Sequence, residues 1–326
     1  MFRPNFWSLL SVNDNIMSNS VEKKVILVVR KTRLDELISR FLTLSQARFY
    51  VESLGHDFSD YEQEHKYYRI AKSCIVEYLH SLGRFQILER EYLTNFVFGP
   101  EDLVIALGQD GMVANIMKYL HGQPLLGINP DAGRFDGVLL PFKPLDLPKI
   151  IPEVLRGQRK TRKVTMALAE LNDGQQLYAV NDLFIGPKNH GSARYALHFD
   201  GYSENQSSSG IIVSTGLGST GWMKSIMTGA FGIATSLDDA NRSQYKGFAW
   251  NRRELLFAVR EPFPSIASKT ELLFGEITPD KPLEVVSHMP QNGVIFSDGI
   301  ETDNLEFNIG SIAKIGVAAR EGCLVV

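Results

Sequence analysis

The sequence predicts an α/β domain built on a parallel sheet, followed by a β-rich domain, and three observations lead there. Between residues 25 and 129, short apolar runs alternate with stretches of helical periodicity, the texture of βαβ units. Beyond the prolines at 141, 144, 148 and 152 the segments become short, strand-like and separated by Gly, Asn, Asp and Pro. In each half one apolar strand runs straight into a glycine-rich turn, at 108–111 and at 216–221.

Val25 to Val29 reads as a buried strand, and 34–53 as helical, with Leu34, Leu37, Ile38, Phe41, Leu42 and Leu44 mainly at helical spacing. A helix is expected over 61–82. After ILEREYL come the strand LVIAL at 103–107, a helix over 112–121 and the strand PLLGI leading to Asn129. The second half offers KVTMALAEL, QLYAVNDLFIG, RYALHFDG, GIIVST, ELLFAV, ELLFG, LEVVS, GVIFSDG and IAKIGVAA as strands, with one helix after 220. The expected organisation is a tail at 1–20, an α/β phosphate-binding domain at 21–145, a β-rich dinucleotide-binding domain at 146–305, and a strand or tail at 306–326 returning toward the first domain.

At 326 residues the chain is long enough for roughly two domains, each with its own core. Hydrophobic content of 44%, charged content of 22% and a net charge of −3 leave no electrostatic footprint for nucleic acid, so an anionic ligand must be handled locally. Cys74 and Cys323 stand far apart without metal-ligand spacing. A reduced, cytoplasmic protein without a zinc site or any metal-ligand set of its own is the expectation. No apolar run approaches the roughly 18–20 residues that span a bilayer, so no membrane partner is expected. Phe2, Phe6, Trp7, Leu9 and Leu10 are interrupted by Asn13, Asp14 and Asn15, and Met17 opens a second start-like stretch, so 1–16 reads as an over-extended start.

In LVIALGQDG the carboxylate of Asp110 falls between Gly108 and Gly111, where backbone amides and a helix N-terminus attract anions. An acid there either orients or deprotonates a hydroxyl attacking a phosphoryl group, or helps hold the neutralising metal, or is an ordinary cap. In GIIVSTGLGSTGW the hydroxyls of Ser214, Thr215, Ser219 and Thr220 join the backbone donors around Gly218, a loop able to press against ribose or phosphate oxygens. A polar turn is the plain alternative. Gly216, Gly218 and Gly221 also satisfy GxGxxG, with Asp238 and Asp239 downstream, which raises a Rossmann dehydrogenase; the β-rich surroundings and the poor strand near IATSL weigh against it. GxxxxGK[ST] and the HRD/DFG pairing of protein kinases are absent.

Taken together and in order, these pieces resemble the NAD kinases, within the superfamily that includes diacylglycerol kinases. The family's GGDGT is matched by Gly108-Gln109-Asp110-Gly111-Met112, its glycine-asparagine strand end by Gly127-Ile128-Asn129, and its Asn-Glu/Asp pair by Asn181-Asp182. Its STPTGSTAY loop is similar to Ser214 through Trp222, and a later Asp-Gly turn to Asp298-Gly299. The stretch around Ser209-Gly210 is most similar to the divergent, mitochondrial-type branch.

The resemblance implies phosphoryl transfer from ATP, with Mg²⁺, to the 2′-hydroxyl of NAD, in a cleft between the two domains. Asp110 would activate the hydroxyl, with Gly108, Gln109, Gly111 and Asn129 on the phosphate side. Asn181, Asp182, Ser214, Thr215, Gly218, Ser219, Thr220 and a stacking Trp222 would hold NAD. It further implies a homo-oligomer, dimer or tetramer, using ATP or polyphosphate as donor. Two departures stand out. Gln109 replaces a glycine, which would cost about 1–2 kcal/mol if that position had positive φ, and Met112 replaces a threonine. The alternatives are a weakened nucleotide-binding regulatory homologue, and a kinase of a lipid or sugar hydroxyl.

Overall fold

A computed structural model describes residues 23–237 and 245–326. The expected tail at 1–20, Met17, and Asp238 and Asp239 lie outside the described residues. The chain forms two compact units. Unit 1 comprises residues up to 113 with 123–161 and 325–326; unit 2 comprises 114–122 and 162–324.

Unit 1 is the α/β half. Strand β1 (Val25–Val29) is buried along its whole length, as a strand covered on both faces must be. It pairs in parallel with β2 (Phe85–Glu89) on one side and β3 (Leu103–Leu107) on the other, and β3 pairs in parallel with β4 (Pro124–Ile128). Parallel neighbours need crossovers, and helices supply them. The expected helix over 34–53 is two: α1 (Arg33–Phe41) and α2 (Leu44–Ser53). Thr32 begins α1 with a capping box to Asp35, and Leu42, left-handed at φ 67°, ends it; Thr43 then caps α2 by accepting from Gln46 N–H. Helical periodicity continues through the break, so it was invisible in the spacing.

Helix α3 (Ser59–Leu82) turns Tyr68, Ala71, Ile75 and Leu79 onto the sheet at i, i+3, i+7 and i+11, against Val25, Leu27, Ile105 and Leu107. Helix α4 (Asp110–Met117) starts two residues before its expected position and ends four before its expected end. Helix α5 (Leu147–Leu155) lies beyond residue 145 yet belongs to unit 1, burying Leu147, Ile150 and Ile151 in the same core as Val325.

Unit 2 is built on two sheets that share a core. The first joins β16 (Ile312–Val325), β13 (Leu283–Ser287), β8 (Ala193–Phe199) and β9 (Tyr202–Ser208), with β5 (Thr161–Leu171) on β16 and β6 (Gln176–Ala179) on β5. The second runs β12 (Phe274–Ile277), β11 (Leu255–Val259), β10 (Ile211–Ser214), β7 (Asp182–Pro187), β14 (Gly293–Ser297) and β15 (Ile300–Glu306). Tyr195, Leu197, Val285 and Ile315 of the first sheet meet Ile185, Val213, Phe257 and Ile295 of the second in a sandwich core. Helix α6 (Trp222–Leu237) is the expected interruption.

Three strand expectations change. QLYAVNDLFIG is two strands, broken at Val180-Asn181. The strand expected at ELLFG lies three residues later, at Phe274–Ile277. Strands β9 and β15 had no apolar alternation to reveal them. The inward positions of β9 are Glu204, Gln206 and Ser208, tolerated because they are hydrogen-bonded: Tyr195 Oη meets Gln206 Oε1 at 2.9 Å and Ser208 Oγ at 2.8 Å, and Glu204 accepts from Leu272 N at 2.9 Å.

Leu42 offers a test of the α1–α2 break. Its side chain is 82% exposed, so Leu42→Gly loses little burial and relieves left-handed strain. The urea midpoint should rise by the equivalent of about 0.5–1 kcal/mol; a lower midpoint would show that the leucine packs.

Candidate functional site

In unit 1, β3 delivers the chain to Gly108, whose N–H donates to Ile128 O at 3.2 Å and ties the turn to β4. A Cβ on Gly108 would lie 2.7 Å from Met112 Sδ, so the buried methionine takes the room under the turn. Gln109 is absent from the positive-φ residues, and its replacement of glycine carries no left-handed strain. Gly111 has neither positive φ nor a neighbour that a Cβ would strike. Asp110 opens α4, where the first amides have no carbonyl four residues earlier to bond. Its carboxylate accepts from Leu139 N at 2.8 Å and Val138 N at 3.2 Å.

Asn129 is occupied by its own loop: Nδ2 donates to Phe135 O at 2.9 Å and Oδ1 accepts from Asp131 N at 3.0 Å. Asn129 therefore shapes the 130–137 segment, with one amide hydrogen and one oxygen lone pair beyond these two bonds. Gly127 is demanded by close approach, since a Cβ there would sit 2.0 Å from Leu139 O.

Sequence reasoning missed the cation beside this turn. Arg30 follows β1 directly, and its Nε lies 3.6 Å from where a Cβ on Gly108 would be. Arg30 Nη2 donates to buried Glu64 at 2.9 Å and Nη1 to Lys31 O at 2.9 Å, while Nε–H is buried without a partner among the described residues. Burial pushes the Glu64 carboxyl up, but hydrogen bonds from Arg30 and Arg33 outweigh it and hold the pKa below the usual range. Arg33 also pulls down Asp60, which accepts from Arg134 at 2.5 Å as well. A charged residue directly after a buried parallel strand was the available signal, because ligands gather at strand C-termini in such sheets.

In unit 2 the break between β6 and β7 carries Asn181-Asp182. Asp298, left-handed at φ 56°, directs its carboxylate into the break and accepts from Asn181 N at 2.6 Å, Val180 N at 3.1 Å and Asp182 N at 3.3 Å. Asp298 N returns a bond to Asp182 O at 2.9 Å. Burial raises the Asp298 pKa, with Lys118 opposing; Lys118 Nζ itself is held by Asp303 at 2.5 Å and Ser297 Oγ at 2.9 Å.

The second glycine loop packs on this break, but it does so with the groups expected to face a ligand. Thr215 Oγ1 donates to Val180 O at 2.5 Å, Ser219 Oγ donates to Gly216 O at 2.7 Å and accepts from Phe248 N at 3.1 Å, and Ser214 Oγ is buried. Gly218 is required because a Cβ would lie 2.2 Å from Asn181 O, and Gly216 because one would lie 2.2 Å from Ala249 O. These glycines serve backbone packing, and β10 has antiparallel neighbours on both sides, which removes the dehydrogenase alternative. Thr220 is exposed. Trp222 stacks on Phe184, with centroids 5.9 Å apart and planes 3° from parallel, and Arg260 lies over it at 5.4 Å.

What remains open to a ligand is the pair at the break. The Asn181 side chain has no hydrogen bond among the described residues, and Asp182 Oδ1 is buried with none. Burial raises the Asp182 pKa to about 7, Ser214 opposing and Asp298 adding to it. No group of three or more His, Cys, Asp or Glu among the described residues is placed to hold a metal, and no described helix is long and apolar enough to cross a membrane.

No family model matches the chain. The NAD kinase of Paraburkholderia phymatum is 34% identical over 130 residues, covering 37% of this chain and 42% of that protein. The NAD kinase of Acinetobacter baylyi is 35% identical over 129 residues, 37% of this chain and 41% of its own. Over these stretches the chain is similar to NAD kinases. Its match spans about two fifths of the length of these curated relatives. The fold agrees over a much longer stretch: a crystal structure of yeast NADH kinase complexed with NADH aligns at a TM-score of 0.54, 13% identity, 93% of this chain and 83% of that one. An NAD kinase fold, an α/β half followed by a β-rich half, accordingly accounts for the architecture described above.

The buried Asp182 yields a stability prediction. Its raised pKa means the folded state favours the neutral acid, so its contribution is fully present below about pH 4 and is lost as pH rises toward 7. Asp182→Asn should therefore raise the melting temperature at pH 8 by a few degrees while leaving it unchanged near pH 4. Equal shifts at both pH values would exclude titration as the cause.

Proposed function

We propose that the chain transfers the terminal phosphoryl group of ATP to the 2′-hydroxyl of NAD, giving NADP. The observation that carries this reading is the Asn181-Asp182 break: among the described residues an amide side chain without a hydrogen bond and a buried carboxylate oxygen without one, on a link held rigid by Asp298, in a chain similar to NAD kinases. An amide that donates and accepts suits an adenine edge, and a carboxylate suits a ribose hydroxyl.

In unit 1, Asp110 is the base or orienting group for the attacking hydroxyl. Two backbone amides fix its direction, and a carboxylate has roughly four acceptor positions, so capacity is left for a substrate proton. Arg30 Nε–H and the first amides of α4 are the donors for phosphate oxygens. With no acidic cluster among the described residues, magnesium fits as an ion carried by the donor phosphates, where it supplies charge neutralisation. A second reading, a weakened nucleotide-binding homologue, draws on buried Met112, which puts a thioether in the loop where the family has a hydroxyl.

Incubation with ATP, Mg²⁺ and NAD or NADH, followed by assay of the phosphorylated product, separates these. Turnover supports the kinase, NAD binding without turnover supports the regulatory homologue, and neither points to another hydroxyl acceptor. Asp110→Asn should lower kcat by about 10²–10³-fold with NAD affinity retained; near wild-type turnover would remove Asp110 from that role. Arg30→Lys keeps a charge for Glu64 but deletes Nε–H, and should raise KM for ATP by roughly three- to tenfold with KM for NAD unchanged.

A further inference from the structure

Among the described residues, unit 2 has four buried side-chain atoms without a partner, Thr165 Oγ1, Asp182 Oδ1, Tyr245 Oη and Arg320 Nε, and two of them belong to one loop neighbourhood. Tyr245 Oη is enclosed and forms no hydrogen bond among the described residues. It lies against Ser219, whose hydroxyl donates to Gly216 O and accepts from Phe248 N, and the 245–248 segment packs on the loop that Gly218 presses against Asn181 O. The ring itself is well placed, packed with Trp222 and Ile226 on the cluster of Phe184, Ile212, Met223, Ala258 and Val294. A buried hydroxyl and a buried carboxylate oxygen left unbonded in one neighbourhood are each costly, and a folded protein retains such a pair where something else completes it.

We propose that Tyr245 is a binding residue of the Asn181-Asp182 subsite, its phenol donating a hydrogen bond to the nucleoside part of the dinucleotide while Asp182 Oδ1 accepts one from it. The inference rests on the reading of that subsite as the NAD site. The donor and acceptor are complementary: a ribose hydroxyl, or an amide or amino-pyridine edge, offers one acceptor and one donor side by side. Asp182 and Asn181 alone provide no neutral hydroxyl donor, and the hydroxyls of Thr215 and Ser219 donate to backbone carbonyls. Tyr245 supplies that missing donor from a half-buried ring packed on the cluster around Phe184.

The test is Tyr245→Phe in the full chain, which keeps the ring and removes only the oxygen. NAD and NADH are titrated calorimetrically, melting is followed without nucleotide, and KM is measured for NAD and ATP separately. The proposal expects NAD affinity to fall by about three- to tenfold, the value of one hydrogen bond, with KM for ATP unchanged. Without nucleotide the variant should melt at the wild-type temperature or above, since an unbonded hydroxyl has been deleted. Unchanged NAD affinity overturns the proposal. So does a lower melting temperature, which would show the hydroxyl bonded within the protein. If the wild-type chain binds neither NAD nor NADH, the functional reading fails and the proposal with it, an outcome distinct from a variant that binds as wild type does.

Discussion

The carboxylate of Asp298 is the contact on which unit 2 depends. Two strands of a continuous apolar sequence, β6 and β7, are kept apart at Val180-Asn181 because three successive amides turn toward one acid. Three peptide N–H groups converging on a carboxylate form a concave donor array usually found around bound anions. Here the protein fills it with its own side chain. The consequence is that Asn181 stands between the two strands and Asp182 opens β7 with its Oδ1 unbonded among the described residues, while their backbone is as firmly held as a strand's.

That arrangement explains why the serine and threonine hydroxyls of the second glycine loop face inward. A loop pressed to within a Cβ of the Asn181 carbonyl has no water to satisfy its polar groups, so its hydroxyls bond the nearest carbonyls. Small residues were chosen for closeness, and the polar contact with a ligand passes to the groups the loop buttresses. Unit 1 follows the same pattern: Asn129 spends its amide on residues 131 and 135, and Asp110 is steered by the amides of 138 and 139. Rigid backbones, with unsatisfied donors and acceptors projecting from them, characterise both turns.

Legibility in the sequence followed burial. Strands whose residues are apolar throughout, such as β1, β3 and β4, were readable because both faces are covered. Strand β9, with Glu204 and Gln206 turned inward, was not, because its stability comes from hydrogen bonds to Tyr195 and Leu272 that no local pattern encodes. The α1–α2 break escaped notice because Leu42 keeps the apolar rhythm while its backbone turns left-handed. In the candidate site, the acids and amides were visible as motifs, whereas Arg30 and Tyr245 carry no motif at all.

The sequence by itself determined the order of the two halves, the two strand-to-glycine turns, and the residues Asp110 and Asn181-Asp182, because periodicity and short-range turn chemistry act over a few residues. Only the tertiary structure decided which glycines are compulsory, which hydroxyls are already bonded, and which buried polar atoms still want a partner. The reason is range. Asp298 reaches Val180 across 118 residues of chain, and Tyr68 accepts from the Arg30 amide across 38; whether a polar atom is satisfied depends on neighbours of that kind, which folding alone brings within 3 Å or so.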